Sequence, residues 1–408
     1  MISLSPEKIA LLSSEPVREY LVAHKDAAPT SITLKPSPFE GLTPRDLSMQ
    51  LSSRKKAEQK LPGWLNAPGV VFPETQAMEQ CSSEYTALYK QRLFPEAAEV
   101  TDLTGGFGVD AAAIASIAGS MNYVERQEYL CNLAENNFRA LQLTNVTVFN
   151  LELTAFLEQH PPKSGAYFFC DPARRDENQK KVFLLEDCSP DLTQLAPLLL
   201  DNHAVLVAKL SPLFDISRLK QAFGRNLKSV HVVAVKNECK ELLIEICLGD
   251  HDTELVCVNL DTAQLPLSAT LEEAKTATIT YSEPLAYLYE PNAAILKAGA
   301  GDLAGSRYEL QKLEANSHLF TSALPVTDFP GRSFRILGTY PLDKKEFSKI
   351  IPGKKANITV RNFPLKPEEI HKKLGFSTGG DEYLFATTTS GGKKVIIHCR
   401  KFTSSEKS

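Results

Sequence analysis

Residues 99–110, EVTDLTGGFGVD, constrain the chain more than any other stretch: a short apolar run ends on an acid, then breaks into a glycine-rich turn before an alanine-rich helix. Gly105, Gly106 and Gly108 let backbone approach a ligand closely at the carboxyl end of a parallel strand, while Asp102 can accept hydrogen bonds from amino or hydroxyl groups. The spacing is Asp-x-x-x-Gly-x-Gly, with Thr104 standing where a dinucleotide loop places its first glycine. A nucleoside with a cationic tail suits such a turn. The plain alternative is a structural strand-to-helix connection.

Downstream of the turn, the chain repeats the theme of strand, acid and helix. Met121–Glu125 is a second short strand, ending on an acid seventeen positions after Gly108, where a ribose diol falls in a βαβ unit. Asn145–Asn150 is a third, closed by Glu152. Ala166–Cys170 runs into Asp171-Pro172-Ala173-Arg174-Arg175, and Ala204–Lys209 into Leu210-Ser211-Pro212. Helical stretches such as Glu128–Leu141 fill the gaps. This alternation predicts a doubly wound α/β sheet whose ligands bind beyond the carboxyl ends of its strands.

Over Gln80–Gly249 these residues resemble the class I S-adenosylmethionine-dependent methyltransferases. Asp102, Gly106 and Gly108 match the family's first motif, Glu125 its ribose acid, Glu152 its adenine-side acid, and Asp171-Pro172-Ala173 its fourth motif. Ser229–Lys236 and Glu241–Gly249 read as two strands joined by a tight polar turn, similar to that family's antiparallel final hairpin. The resemblance implies a Rossmann-like, seven-stranded sheet and S-adenosylmethionine as cofactor. It implies a binding set of Asp102, Thr104, Gly105, Gly106, Phe107, Gly108, Glu125, Arg126 and Glu152. Upstream, Glu79–Leu93 resembles the segment before motif one in trimethylguanosine-synthase-like enzymes, which adds Ser83 and Lys90, with Gln80, Ser82 and Glu84 beside them. From its own residues the same segment reads as an amphipathic helix capped by Ser83.

The fourth motif bears on the acceptor. Amine-methylating relatives carry Asp-Pro-Pro-aromatic, where the aromatic stacks on a base; here Arg174 and Arg175 replace it, which counts against plain amine methylation. The candidate catalytic set is Asp171, Pro172, Ala173 and Arg174. Asp-Pro-Ala-Arg also resembles RNA uridine C5-methyltransferases, but those need a nucleophilic cysteine after the fifth strand, and this chain has Lys209-Leu210-Ser211-Pro212. The two arginines can clamp a phosphate or stack on a base, or else pair with Asp176 and Glu177 as a solvated loop.

Of the 408 residues, 43% are hydrophobic and 23% charged, as in ordinary globular proteins, and the length allows two to four domains. Charges at Glu7, Lys8, Glu15, Arg18 and Glu19 argue against a signal peptide, and no apolar run suggests a membrane span. The eight cysteines are scattered without a C-x-x-C, as are the eight histidines, which predicts free thiols in a reducing cytoplasm and no metal.

Charge is uneven. Gly331–Ser408 holds sixteen Lys and Arg against seven Asp and Glu, a net +9, whereas the preceding 330 residues carry 29 against 42, a net −13. Within this basic end, Asp343–Phe402 is similar to the THUMP-like domain that closes certain bacterial methyltransferase-like proteins. It reads as strand, helix and a hairpin turning at Ser390-Gly391-Gly392. RNA is the implied partner, with Lys354, Lys355, Arg361, Lys372, Lys373, Lys393 and Lys394 available to phosphates; a packing module with a basic face is the alternative.

The expected organisation is a helical domain over 1–73, a class I methyltransferase domain over 74–250, a small α+β domain over 251–336 with a ferredoxin-like arrangement as one option, and a THUMP-like domain over 337–408. Lys60–Pro73, with three prolines and two glycines, reads as a linker, and Thr276–Tyr281 as strand-like. The expected function is methylation of an RNA base. The alternatives are a cofactor-retaining binding protein without transfer activity, or a methyltransferase for a small molecule or protein.

Overall fold

The computed structural model describes residues 4–174 and 185–402, with only the backbone of Arg174; Arg175 lies outside the described residues. The chain divides into two units, Met1–Lys228 with Leu243–His251, and Ser229–Leu242 with Asp252–Ser408.

In the first unit, short apolar runs become β1 (Glu99–Asp102), β2 (Ser120–Val124), β3 (Val146–Phe149) and β4 (Tyr167–Cys170). A two-residue antiparallel pair comes next, β5 (Ala173–Arg174) with β6 (Cys188–Ser189), and then β7 (Val205–Leu210). Two longer strands, β8 (Leu227–Val235) and β9 (Glu238–Ile246), contribute to both units. Within the first unit the strand order is β3-β2-β1-β4-β7-β9. The β1–β2, β2–β3, β1–β4 and β4–β7 pairings are all parallel. The chain therefore builds outward from β1 in one direction and then in the other, which leaves a crevice at the carboxyl ends of β1, β2 and β4. Register places Asp102 beside Tyr123 on one side and Phe169 on the other.

Local caps start the amino-terminal helices. Ser5 caps Pro6–Leu12, and Thr43 caps Pro44–Lys60 through a capping box with Asp46. The Lys60–Pro73 stretch is not a loose linker. It contains a helical turn at Pro62–Asn66, and Val71 and Phe72 are wholly buried. Side-chain amides satisfy their backbone: Asn137 bonds both N–H and C=O of Val71 at 2.9 Å, and Gln50 does the same for Phe72. Prolines and glycines mark the turns here, but composition does not reveal that two amides supply the missing sheet partner.

In the second unit the β8–β9 connection is Lys236-Asn237, both at positive φ, as a tight hairpin turn requires. The order there is β11-β10-β8-β9, with β10 (Glu254–Leu260) parallel to β8 and β11 (Leu267–Thr270) antiparallel to β10. A separate seven-stranded sheet holds β12 (Tyr287–Pro291), β13 (Gln311–Lys312), β14 (Phe320–Ser322), β15 (Gly331–Tyr340), β16 (Asn357–Arg361), β17 (Glu382–Thr388) and β18 (Lys394–Lys401). Its order is β13-β14-β12-β15-β18-β17-β16. Thr276–Tyr281 is not a strand: Thr270 and Glu273 form a capping box that winds Leu271–Thr276 into a helix, leaving one bridge at Tyr281.

Strand alternation gives this sheet two apolar faces. Leu384, Ala386 and Ile396 pack with Phe347, Ile370 and Leu374 of the helices Lys344–Ile350 and Pro367–Leu374. Phe385 and Ile397, one position along, pack with Leu288, Leu313 and Leu319. Glu290 of β12 is a buried charge in this unit. Its carboxylate is bonded by Arg332 of β15 and by Arg361 of β16, the latter through Nε at 2.9 Å. Arg361 is thus committed to an internal partner, whereas the six lysines grouped with it as phosphate contacts are exposed.

Glu290→Ala removes the shared acceptor from two arginines that remain about one-third exposed. Solvent screens part of the loss, so the expected destabilisation is about 2 kcal/mol. Urea unfolding monitored by circular dichroism checks this; an unchanged midpoint would reduce the triad to surface decoration.

Candidate cofactor and acceptor site

The turn after β1 is fixed from three sides. Gly105 donates its amide to Val124 O at 2.9 Å, Gly106 donates to Glu125 Oε2 at 3.0 Å, and the Thr104 hydroxyl accepts from the Asp171 amide at 2.7 Å. Gly106 and Gly108 sit at φ +56° and +85°, conformations that glycine alone adopts without strain. Gly108 caps the helix Val109–Ala115. A Cβ at Gly105 would strike the Tyr123 ring, whereas a Cβ at Gly106 would meet only Thr104 O, at 3.7 Å. Gly105 is small for packing, and Gly106 for its backbone shape and the open space beside it.

A cavity of about 810 Å³ lies beyond the carboxyl ends of the strands. Thr104, Glu125, Arg126, Glu152, Asp171 and Ala173 line it, joined by Val124, Gln127, Leu151 and Leu195. Glu125 is nearly buried, and its second oxygen accepts from the Gln127 amide at 2.8 Å. Arg126 and Glu152 are exposed and pair loosely, at 3.6 Å. Pro172 connects Asp171 to the short β5–β6 pair.

Seven of the sequence-predicted cofactor residues lie off this wall, Gly106 and Gly108 among them. Gly105, Phe107 and Asp102 support the turn from inside. Ser83 caps the helix Glu84–Lys90 by accepting from the Thr86 amide. Lys90 is fully buried, with its ammonium 3.0 Å from Asp110 Oδ1.

Lys90 belongs to a set of charges that the sequence did not announce. The Ser82 hydroxyl donates to Asp110 Oδ2 at 2.7 Å and accepts from both the Lys90 and Lys209 ammonium groups, at 3.1 and 3.3 Å. Lys209 also holds Asp171 Oδ2 at 2.6 Å. Burial pushes the Asp110 carboxyl up, but Lys90 and Lys209 more than offset this and hold it below the ordinary range. Asp102 goes the other way: burial, with Asp110 and Asp171 near, raises it to about 8 despite two bonds from Thr104. The signals were slight: Asp110 stood only as the last residue of the glycine-rich stretch, and Lys209 only at the place where a cysteine was missing. A charged residue ending the apolar run AVLVAK was nonetheless visible.

Family models match two parts of the chain, a ferredoxin-like domain over residues 287–330 and a THUMP domain-like module over 331–401. Among solved structures, a candidate methyltransferase from Porphyromonas gingivalis W83 is 31% identical at a TM-score of 0.85, with 97% of this chain and 98% of that chain covered. The chain belongs to that protein's family. Its fold is that of a class I methyltransferase, with a THUMP-like domain after it. More distant matches include a candidate rRNA methylase from Clostridium thermocellum, 13% identical at a TM-score of 0.30, covering 40% of this chain and 94% of that one. A tRNA (m1A58) methyltransferase from Aquifex aeolicus is 15% identical at 0.32, covering 42% and 71%. No curated protein matches the chain. Among the described residues no cluster of three or more His, Cys, Asp and Glu is placed to hold a metal, and no helix is long and apolar enough to cross a membrane.

Because folding raises the Asp102 carboxyl from 3.8 to about 8, its protonated form is favoured in the native state. Its contribution to stability is full below about pH 4, declines as the pH climbs toward 8, and stays lost above that. Asp102→Asn keeps an acceptor for Thr104 without the charge. The variant should match wild type at pH 4 and exceed it at pH 9 by on the order of a few kcal/mol in urea titrations. A gap that does not widen with pH would show that Asp102 ionises freely.

Proposed function

We propose that this protein transfers the methyl group of S-adenosylmethionine to a base of an RNA. The observation that carries the reading is Glu125. In a chain of methyltransferase fold, a nearly buried carboxylate faces a cavity beyond β2, held by the amides of Gly106 and Gln127. Each of its oxygens accepts one such bond and retains lone pairs for a ribose diol.

The residues present fit the cofactor. Val124 and Leu151, which line the cavity, offer apolar contact for an adenine, and Glu152 stands at that end. Asp102, Gly105, Phe107 and Gly108 hold the turn in shape, with Ser83 and Lys90 supporting it from outside the cavity. When bound, S-adenosylmethionine supplies an electrophilic methyl on a sulfonium that departs as a neutral thioether. The protein's share is then placement: Asp171, Pro172 and Ala173 at the mouth of the cavity orient the acceptor, with Arg174 next in sequence, and Asp171 is the base at hand.

For the RNA, support comes from the THUMP-like match and from the net +9 charge over Gly331–Ser408. On this reading residues 1–73 are a helical accessory domain, 74–250 the methyltransferase, 251–336 a small α+β spacer and 337–408 the RNA-gripping domain. Eight free cysteines, five of them buried, suit a reducing cytoplasm.

Three measurements test the proposal. Charge-assisted bonds of this kind contribute roughly 1.5–3 kcal/mol each, so Glu125→Ala should weaken S-adenosylhomocysteine binding about 10- to 100-fold by calorimetry. Labelled methyl from S-adenosylmethionine should enter total RNA from cells lacking the protein, and not the protein or metabolite fractions. Cofactor binding without transfer to any fraction would leave a binding protein. If lysines grip phosphate, RNA affinity should fall steeply with salt, by about 0.7 log units per log unit of salt for each contact. Replacing Lys354, Lys355, Lys372 and Lys373 by alanine should flatten that slope by about one to three units and spare cofactor affinity. An unchanged slope would return the basic face to packing.

A further inference from the structure

We infer that Lys209 is a positioning residue for methyl transfer: with Ser82, Asp110 and Lys90 behind it, its ammonium fixes the Asp171 carboxylate so that one oxygen is left for the acceptor. The inference rests on the methyl-transfer reading and narrows it to acceptors that carry a proton on the attacking atom, an N–H or O–H.

Asp171 is the member of the set that reaches the cavity, with its side chain 38% exposed. Three of its atoms have distinct duties. The backbone amide is tied to Thr104 at 2.7 Å, Oδ2 is tied to Lys209 at 2.6 Å, and among the described residues no hydrogen bond falls on Oδ1. With the backbone and one oxygen both held, the carboxylate has little rotational freedom, and Oδ1 is the oxygen left with both lone pairs to offer among the described residues.

Lys209 is itself held. Its side chain is 15% exposed; Ser82 Oγ lies 3.3 Å from the ammonium and Asp110 Oδ2 lies 4.0 Å away. Ser82 is anchored in turn by Asp110 and by the wholly buried Lys90. Removing charges from water costs several kcal/mol per ion, and apolar residues of similar volume often serve a fold equally well. What an apolar replacement cannot do is orient a carboxylate at the mouth of the cavity.

The charges also balance. Lys90 and Lys209 contribute two positive charges, Asp110 and Asp171 two negative, and Asp102 is raised to about 8. A sulfonium can therefore approach without meeting an uncompensated ammonium. When the acceptor exchanges hydrogen for methyl, the proton it loses passes to Asp171 Oδ1, turning carboxylate into carboxylic acid, and from there to water at the exposed edge. A ring nitrogen that attacks through a lone pair, with no proton to lose, would gain nothing from this arrangement.

The test compares wild type with Lys209→Met and Lys209→Arg in the full-length protein, with thermal melts to confirm folding. Initial rates of labelled methyl transfer to total RNA at saturating S-adenosylmethionine should fall at least 100-fold in Lys209→Met and recover to within tenfold in Lys209→Arg. S-adenosylhomocysteine affinity should stay within threefold in both. Crystal structures should show the Asp171 carboxylate turned from its wild-type rotamer in Lys209→Met and retained in Lys209→Arg. Should Lys209→Met not fold, Ser82→Ala takes its place, with an expected loss of rate of about tenfold. An unmoved carboxylate, or an undiminished rate in a folded variant, overturns the inference. Absence of transfer by wild type to RNA, protein or metabolites would defeat the methyltransferase reading instead, while the rotamer still decides whether Lys209 fixes Asp171.

Discussion

The turn of Thr104–Gly108 is the constraint on which the first unit depends. Its amides are spent on Val124 and Glu125 of the neighbouring strand, and its one hydroxyl accepts the backbone of Asp171 from the strand on the other side. Three segments distant in sequence thus meet over five residues. Positive φ at Gly106 and Gly108 makes the geometry reachable, and the parallel register of β1 with β2 and β4 brings the partners within reach.

Charges are treated differently in the two units. In the second, Glu290 is a buried acid with two arginines, an arrangement that binds strands to one another. In the first, the acids and lysines around Ser82 form a connected set that ends on a residue open to the cavity. Both satisfy the rule that a buried ion needs partners. Location separates a structural ion group from one that can act on a bound molecule.

How much of this could be read from sequence depends on how local the signal is. The Asp102–Gly108 spacing, the caps at Ser5, Thr43 and Ser83, and the hairpin turn at residues 390–392 are determined within a few positions, and the structure bears them out. The doubly wound sheet was legible from the repetition of strand and acid. The Lys60–Pro73 and Thr276–Tyr281 readings failed because partners far away, or a cap just upstream, overrode composition and β-branched alternation. Lys209 and Asp110 were passed over, and Arg361 was grouped with phosphate contacts, for one reason: a charge shows its role only through the oppositely charged group it meets, and those groups lie 38 to 71 residues away or on another helix.

The amide clamp of Asn137 on Val71 has a consequence for synthesis. The clamp spans 66 residues, so the backbone at Val71 has no settled partner when it leaves the ribosome. At about 5–20 residues per second, the helix carrying Asn137 emerges roughly 3 to 13 seconds later. Through that interval Val71 and Phe72, which end wholly buried, are open to chaperones and to other nascent chains. The clamp on Val71 cannot close until the helix Glu128–Ala140 has been made.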